Sequence, residues 1–240
     1  MRDRFTERRL DLQRHRWFRI LLAVAGALLM GALVWLIWFS SALDARTVSV
    51  EGQSSLTAAQ VRKAADVPLG GPLARVDLTA IEARVKAVPR IRLVEVSRSW
   101  PHGVTIDVTE RSAVVWSRVG GEFRGIDRFG VDFRSYRKAP KGLIEARVSA
   151  TDAEQRWQTL QAVAAIADRI RRDDPGLRQQ IQVIIGSTKD SVVLDLTKGR
   201  TVTWGSEAQA ARKMEVLEQL LEITAKGYDV SAPDQPTTRN

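Results

Sequence analysis

Apolar and polar positions follow three rhythms along this chain. From Ile20 to Phe39 the run ILLAVAGALLMGALVWLIWF holds 20 residues without a charge. At about 1.5 Å per residue, that length crosses the roughly 30 Å hydrocarbon core of a bilayer as one helix. Trp17 and Phe18 stand at its near end and Trp35, Trp38 and Phe39 at its far end, where rings settle at headgroup level. The competing reading is a cleaved signal peptide with Ser40-Ser41-Ala42 at the cut, but signal cores run about 7 to 15 residues, so length favours an anchor. Ala23, Ala27 and Gly31 form a small-residue stripe that suits either a partner helix or an ordinary span.

Between residues 46 and 111 the rhythm alternates between period two and period 3.6, and predicts a βααββ unit. Val48 and Val50 share one face of a strand ending at Gly52. Thr57 and Gln60 have capping-box spacing, and the helix they open runs to Val67-Pro68. Asp77 caps a second helix with Leu78, Ile81, Val85 and Val88 on one face, ending at Pro89. IRLVEVSR and VTIDVTE then flank Trp100-Pro101-His102-Gly103 as a hairpin.

From residue 112 to 232 short strands dominate: AVVWSRV, EFRGI and VDFR, with a turn over Asp127 to Gly130, then GLIEARV. Thr151 and Glu154 read as a capping box for a helix with Trp157, Leu160, Ala164, Ala167 and Ile170 on its apolar face. IQVII, SVVLDLT and TVTWG follow, with turns at Gly186-Ser187 and Lys198-Gly199-Arg200. Ser206 and Gln209 are placed to cap a last helix carrying Ala210, Met214, Leu217 and Leu221, which Gly227 is expected to end in the left-handed conformation. YDVSA reads as a final strand, and PDQPTTRN (233–240) as a disordered tail. The fold class is α+β: one membrane helix (20–39), a βααββ domain, and a β-rich domain with two helices.

Charge refines this division. The net +9 suggests nucleic acid, but residues 1–19 hold seven Arg against Asp3, Glu7 and Asp11, so +4 of it sits in a short tail beside the anchor. The positive-inside rule accounts for those arginines and puts the tail in the cytoplasm and the bulk outside, so no nucleic-acid partner is inferred. Absence of Cys excludes thiol chemistry and Cys-ligated zinc, and two histidines make a His-based metal site or triad improbable. Gly120–Gly125 lacks the spacing of a phosphate loop. No catalytic residue, metal, cofactor or small-molecule substrate is assigned.

The order of parts resembles the FtsQ/DivIB family of bacterial cell-division proteins. The residues that carry the likeness are VSVEG, Leu56-Thr57, Asp77-Leu78, Pro89-x-Ile91, Arg98-x-Trp100-Pro101, the alternating strand ending in Glu110-Arg111, and Asp127-x-x-Gly130. Ser112 departs from it, standing where the family often has Pro. The resemblance implies a POTRA domain over 46–111, an FtsQ-type β domain over 112–232, and a non-enzymatic divisome scaffold at the septum. From the residues alone, YDVSA serves equally to close a sheet or to offer an edge for strand addition. The resemblance implies docking of FtsB, with its associate FtsL, on Tyr228, Asp229, Val230 and Ser231, with Lys213, Met214 and Leu217 nearby. The alternative is a membrane-anchored enzyme acting on peptidoglycan through Asp127 or Glu110, for which no second carboxylate can be assigned.

Overall fold

The computed structural model describes residues 4–240, with side chains from Trp17 onward. Helix α1 (Arg4–Phe39) is 36 residues long and extends the apolar run at its N-terminal side. Its 23-residue stretch Trp17–Phe39 is long and apolar enough to span a bilayer, and none of it is buried in the protein. The chain divides into two compact units, at Glu110 and Arg111.

In the first unit, β1 (Thr47–Glu51), α2 (Ala58–Ala65), α3 (Leu78–Lys86), β2 (Ile91–Ser99) and β3 (Gly103–Glu110) give a βααββ order, with the sheet arranged β1-β3-β2. The N-terminal strand lies parallel to β3 and β2 pairs antiparallel to it, so the last strand of the sequence is central. The Thr57–Gln60 capping box is present in full, and Asp77 accepts from the Ala80 N–H at 3.0 Å. Val61, Ala65, Ile81 and Val85 from the helices close on Val104, Ile106 and Val108 of β3, one buried face of a sheet covered by two helical stripes.

The second unit holds β4 (Ala113–Val119), β5 (Glu122–Asp127), β6 (Asp132–Tyr136), β7 (Ile144–Val148), α4 (Ala153–Asp173), α5 (Pro175–Gln180), β8 (Ile181–Thr188), β9 (Ser191–Leu196), β10 (Thr201–Gly205), α6 (Ala210–Leu220), β11 (Gly227–Asp229) and β12 (Thr237–Arg239). They build one nine-stranded sheet ordered β12-β11-β10-β9-β8-β7-β4-β5-β6. Val163, Ala164, Ile166, Ala167 and Ile170 of α4 pack with Ile144, Ile184, Leu194 and Trp204 of the sheet.

Four sequence expectations need correction here. Asp152, not Thr151, caps α4, because its carboxylate reaches the Gln155 N–H at 2.9 Å. Trp157 stands 47% exposed on the second turn of that helix instead of joining the apolar face. The β8–β9 turn lies at Lys189-Asp190, since Thr188 pairs with Ser191. Gly186 stays inside β8, where a Cβ would meet the Thr159 and Val163 side chains at 2.6 and 2.9 Å, so glycine lets α4 lie close on the strand. Finally, α6 is preceded by a left-handed Gln209 that makes no side-chain cap bond and is closed by Leu221, while Gly227 is a strand residue.

Candidate functional site

The region singled out for docking lies at one end of the nine-stranded sheet. It is assembled from β10, β11, β12 and the helix α6. Strand β11 runs parallel to β10, with Thr201 opposite Gly227, Val202 opposite Tyr228 and Thr203 opposite Asp229. The Thr201 N–H donates to the Lys226 carbonyl at 2.8 Å, and the Val230 N–H to the Thr203 carbonyl at 3.0 Å. Backbone groups alternate in direction along a strand, so Tyr228 and Val230 face β10 while Gly227 and Asp229 face away from it, and the Lys226 N–H donates to the Arg239 carbonyl at 2.9 Å on that far side.

That outward side is occupied. Strand β12 pairs antiparallel with β11, Gly227 opposite Arg239, Tyr228 opposite Thr238 and Asp229 opposite Thr237. Two expectations change as a result. Residues 237–239, placed in a disordered tail, form a strand, and YDVSA is the penultimate strand of the sheet instead of its edge. The physical reason is the unpaired backbone that β11 would otherwise expose, which the following Thr-Thr-Arg satisfies.

The predicted contact residues sort unequally. Tyr228 is buried, its hydroxyl donating to the Ile223 carbonyl at 2.8 Å and accepting from the Ala225 N–H at 3.3 Å. Val230 and Leu217 are fully buried, and Met214 packs half-buried against the same core. Only Ser231 is fully open, with Asp229 half-exposed beside it. The Asp229 carboxylate accepts from the Ser231 N–H at 2.9 Å and hydroxyl at 2.6 Å, which fixes the turn out of β11.

Lys213 is the largest departure from a solvent-facing docking residue: 1% of it is exposed. Its ammonium donates to the carbonyls of Trp204 at 2.9 Å and Ser206 at 2.8 Å. The β9–β10 register shifts between Thr203 and Gly205, a bulge that turns the Trp204 carbonyl out of the ladder and leaves it for this lysine. Burial pushes the Lys213 amine below its usual pKa, opposed by the negative charge of Asp229. One lysine thus ties α6 to the end of β10.

The two carboxylates considered for acid–base work are both committed elsewhere. Asp127, 2% exposed, accepts from the N–H groups of Phe129 at 2.9 Å and Val131 at 3.0 Å, and its other oxygen meets Arg111 at 2.6 Å. Glu110 receives the N–H groups of Ser54, Ser55 and Leu56 and the Ser55 hydroxyl. Burial works to raise its pKa, but the hydrogen bonds from Ser55, Leu56 and Ser54 together outweigh it and bring the value from 4.5 down to about 2. A hollow of about 270 Å³ beside α4 brings Asp168 and Glu207 onto one lining, yet Asp168 is held by Arg171 at 2.7 Å and Arg172 at 3.3 Å. Among the described residues no group of three His, Asp or Glu side chains could hold a metal ion.

Comparison with known proteins is decisive for the family. Residues 43–111 match the model of the FtsQ-type POTRA domain, and residues 114–232 the model of the FtsQ/DivIB C-terminal domain. The cell division protein FtsQ of Streptomyces coelicolor is 38% identical over 235 residues, covering 91% of this chain and 86% of its own.

The chain belongs to the FtsQ/DivIB family.

FtsQ of Streptomyces collinus is 39% identical over 229 residues, covering 91% of this chain and 86% of its own, and FtsQ of Mycobacteroides abscessus 30% over 223 residues, covering 92% and 69%. Membership makes this a POTRA-containing cell-division protein of the divisome, and the apolar span makes it a single-pass membrane protein. The family match stops at residue 232, so β12 lies outside the segment that defines the FtsQ/DivIB domain. Sequence reading missed β12 and the inward course of Lys213. The only signal for the strand was the β-favouring Thr237-Thr238 pair, too short to show alternation.

Proposed function

We propose that this FtsQ/DivIB protein is a non-enzymatic scaffold of the division septum, with its basic tail in the cytoplasm and both folded units outside. It binds FtsB, and through it FtsL, by strand addition at the β11 end of the large sheet, in support of septal cell-wall synthesis. The observation that carries this reading is the form of that end. The sheet closes on two three-residue strands, of which the inner is anchored by buried Tyr228 and Val230, and edges of this kind accept a further strand. Topology follows from the arginines that precede the span. A binding role is favoured over an enzymatic one because Asp127 and Glu110 spend their oxygens on backbone N–H groups and neighbouring side chains.

Thr238→Pro tests the proposal, because it deletes a backbone N–H on the side of β12 that points away from β11. With the full chain in nanodiscs, affinity for the extracytoplasmic part of FtsB is expected to fall about tenfold or more, while β10–β11 pairing persists. Undiminished binding by a folded variant would overturn the assignment of the edge.

A further inference from the structure

Two large apolar side chains that the first unit leaves exposed, Leu69 (56%) and Trp100 (50%), stand at the end where the chain emerges from the span. We propose that this end of the POTRA unit is a membrane seat. Leu69 and Trp100 enter the headgroup layer of the leaflet in which α1 ends, and a phospholipid of that leaflet fills the hollow between Trp38 and Trp100.

A short link brings these groups to the bilayer. Fully extended, the chain from Phe39 to Ala45 would reach about 20 Å, and the 3-10 turn Ser41–Leu43 shortens it. Its far end is tied to two loops. The Ala45 N–H donates to the Gly71 carbonyl at 2.8 Å and the Gly70 N–H to the Ala45 carbonyl at 2.9 Å, which holds the loop that carries Leu69. The Arg46 N–H donates to the His102 carbonyl at 2.8 Å, and the Asp44 carbonyl lies 3.1 Å from His102 Nδ1, which holds the hairpin turn beside Trp100.

The end of the span also touches the unit directly. The Arg75 guanidinium lies 4.4 Å from the centroid of the Phe39 ring, a cation set at the aromatic end of the span. A hollow of about 590 Å³ opens beside it, lined by Trp38, Ala74, Leu78, Val96 and Trp100. Arg98, also on its wall, spends its guanidinium on the carbonyls of Leu73, Ala74 and Val76, so the wall presents chiefly carbon. Trp38 belongs to the span, which sets this hollow at the depth where tryptophan rings settle among headgroups. Continuity with the span selects a lipid as the occupant. The wall suits an acyl chain, and the exposed side chains of Arg46 and Arg75 offer donors to the phosphate that every phospholipid carries. Seating Leu69 and Trp100 removes exposed carbon from water and fixes the unit against the leaflet.

The chain has no cysteine, so Leu69→Cys gives a single site for a nitrobenzoxadiazole fluorophore on the full chain in phosphatidylcholine nanodiscs. Leu93→Cys is the control: Leu93 is 52% exposed but pairs with Thr109, away from the Ser99–Gly103 end of the hairpin. That is about 20 Å along β2 from Ser99. With a lipid spin-labelled near the top of its acyl chain, fluorescence at position 69 is expected to be quenched about twofold and that at position 93 to stay unchanged. Trp100→Glu added to Leu69→Cys should abolish the quenching, since a carboxylate is expelled from the interface, with an unchanged circular dichroism spectrum showing that the unit stays folded. A label at position 69 as unquenched as that at position 93 would overturn the seat and leave the patch to a protein partner. Quenching that survives Trp100→Glu would overturn it too, because the link alone would then account for the proximity. These discs contain no other protein, so the outcome is independent of FtsB docking.

Discussion

Lys213 and Trp204 are joined by a buried bond: the lysine ammonium donates to the Trp204 carbonyl at 2.9 Å, where a bulge has released that carbonyl from the β-ladder. The pairing fastens α6 to the end of β10 and keeps its lysine out of solvent. Lys213→Met keeps the bulk but leaves two carbonyls without their donor, and should destabilise the second unit by about 1 to 2 kcal/mol in urea unfolding. The native amine has its pKa below the ordinary 10.5, so the unfolded state holds more protons between the two values. Stability should therefore rise as pH climbs from the native pKa toward 10.5, and the Met variant should lack that rise.

Glu110 gives the first unit an acid-sensitive clasp. Its carboxylate, held near pKa 2 against 4.5 when free, gathers the Ser54–Leu56 backbone onto the end of β3. The depressed native value means the stabilisation is complete above pH 4.5 and drains away as pH falls toward about 2. Solvent access discounts the effect to about 1 to 2 kcal/mol. Glu110→Gln should lower stability at neutral pH by that amount and flatten the acid limb of a thermal melt.

Asp127 and Gly130 form one device. The carboxylate fixes the turn, and Gly130, at φ +78°, lies where a Cβ would come 2.7 Å from the Gln161 backbone nitrogen of α4. Asp127→Ala removes the carboxylate that meets Arg111 and the acceptor of two N–H groups, and should cost about 3 kcal/mol. Gly130→Ala should also destabilise, by strain and by pushing α4 away, with both effects read from chemical denaturation of the second unit.

Gln209 predicts a change in the opposite direction. Its φ of 56° is left-handed and its side chain makes no cap bond, so Gln209→Gly relieves strain and should stabilise by about 0.5 to 1 kcal/mol. A raised melting temperature of the second unit is the readout.

These residues also show how far the sequence reaches. The POTRA unit was legible because its signals are local: Thr57 and Gln60 bond each other within one turn, Asp77 caps its own helix, and alternation through Val104, Ile106 and Val108 marks a half-buried strand. In the second unit the decisive partners are distant. Thr151 and Asp152 are adjacent cap candidates, and only the geometry at Gln155 chooses between them. Gly186 resembles a turn glycine until α4 is laid across it. Lys213 stands on an amphipathic helix and reads as a surface residue, because the carbonyls that satisfy it belong to another strand. Strand β12 is three residues long and gains its structure from β11, so the tail carries no periodicity of its own to reveal it.

The central claim is that the β11 end of the sheet receives FtsB. It is tested most directly by placing a photo-crosslinking amino acid at Ser231, the exposed residue that follows β11, in dividing cells. The account predicts a light-dependent adduct with FtsB at Ser231 and none at Thr188 in the β8–β9 hairpin. Adducts with FtsB from Thr188 but not from Ser231 would contradict it.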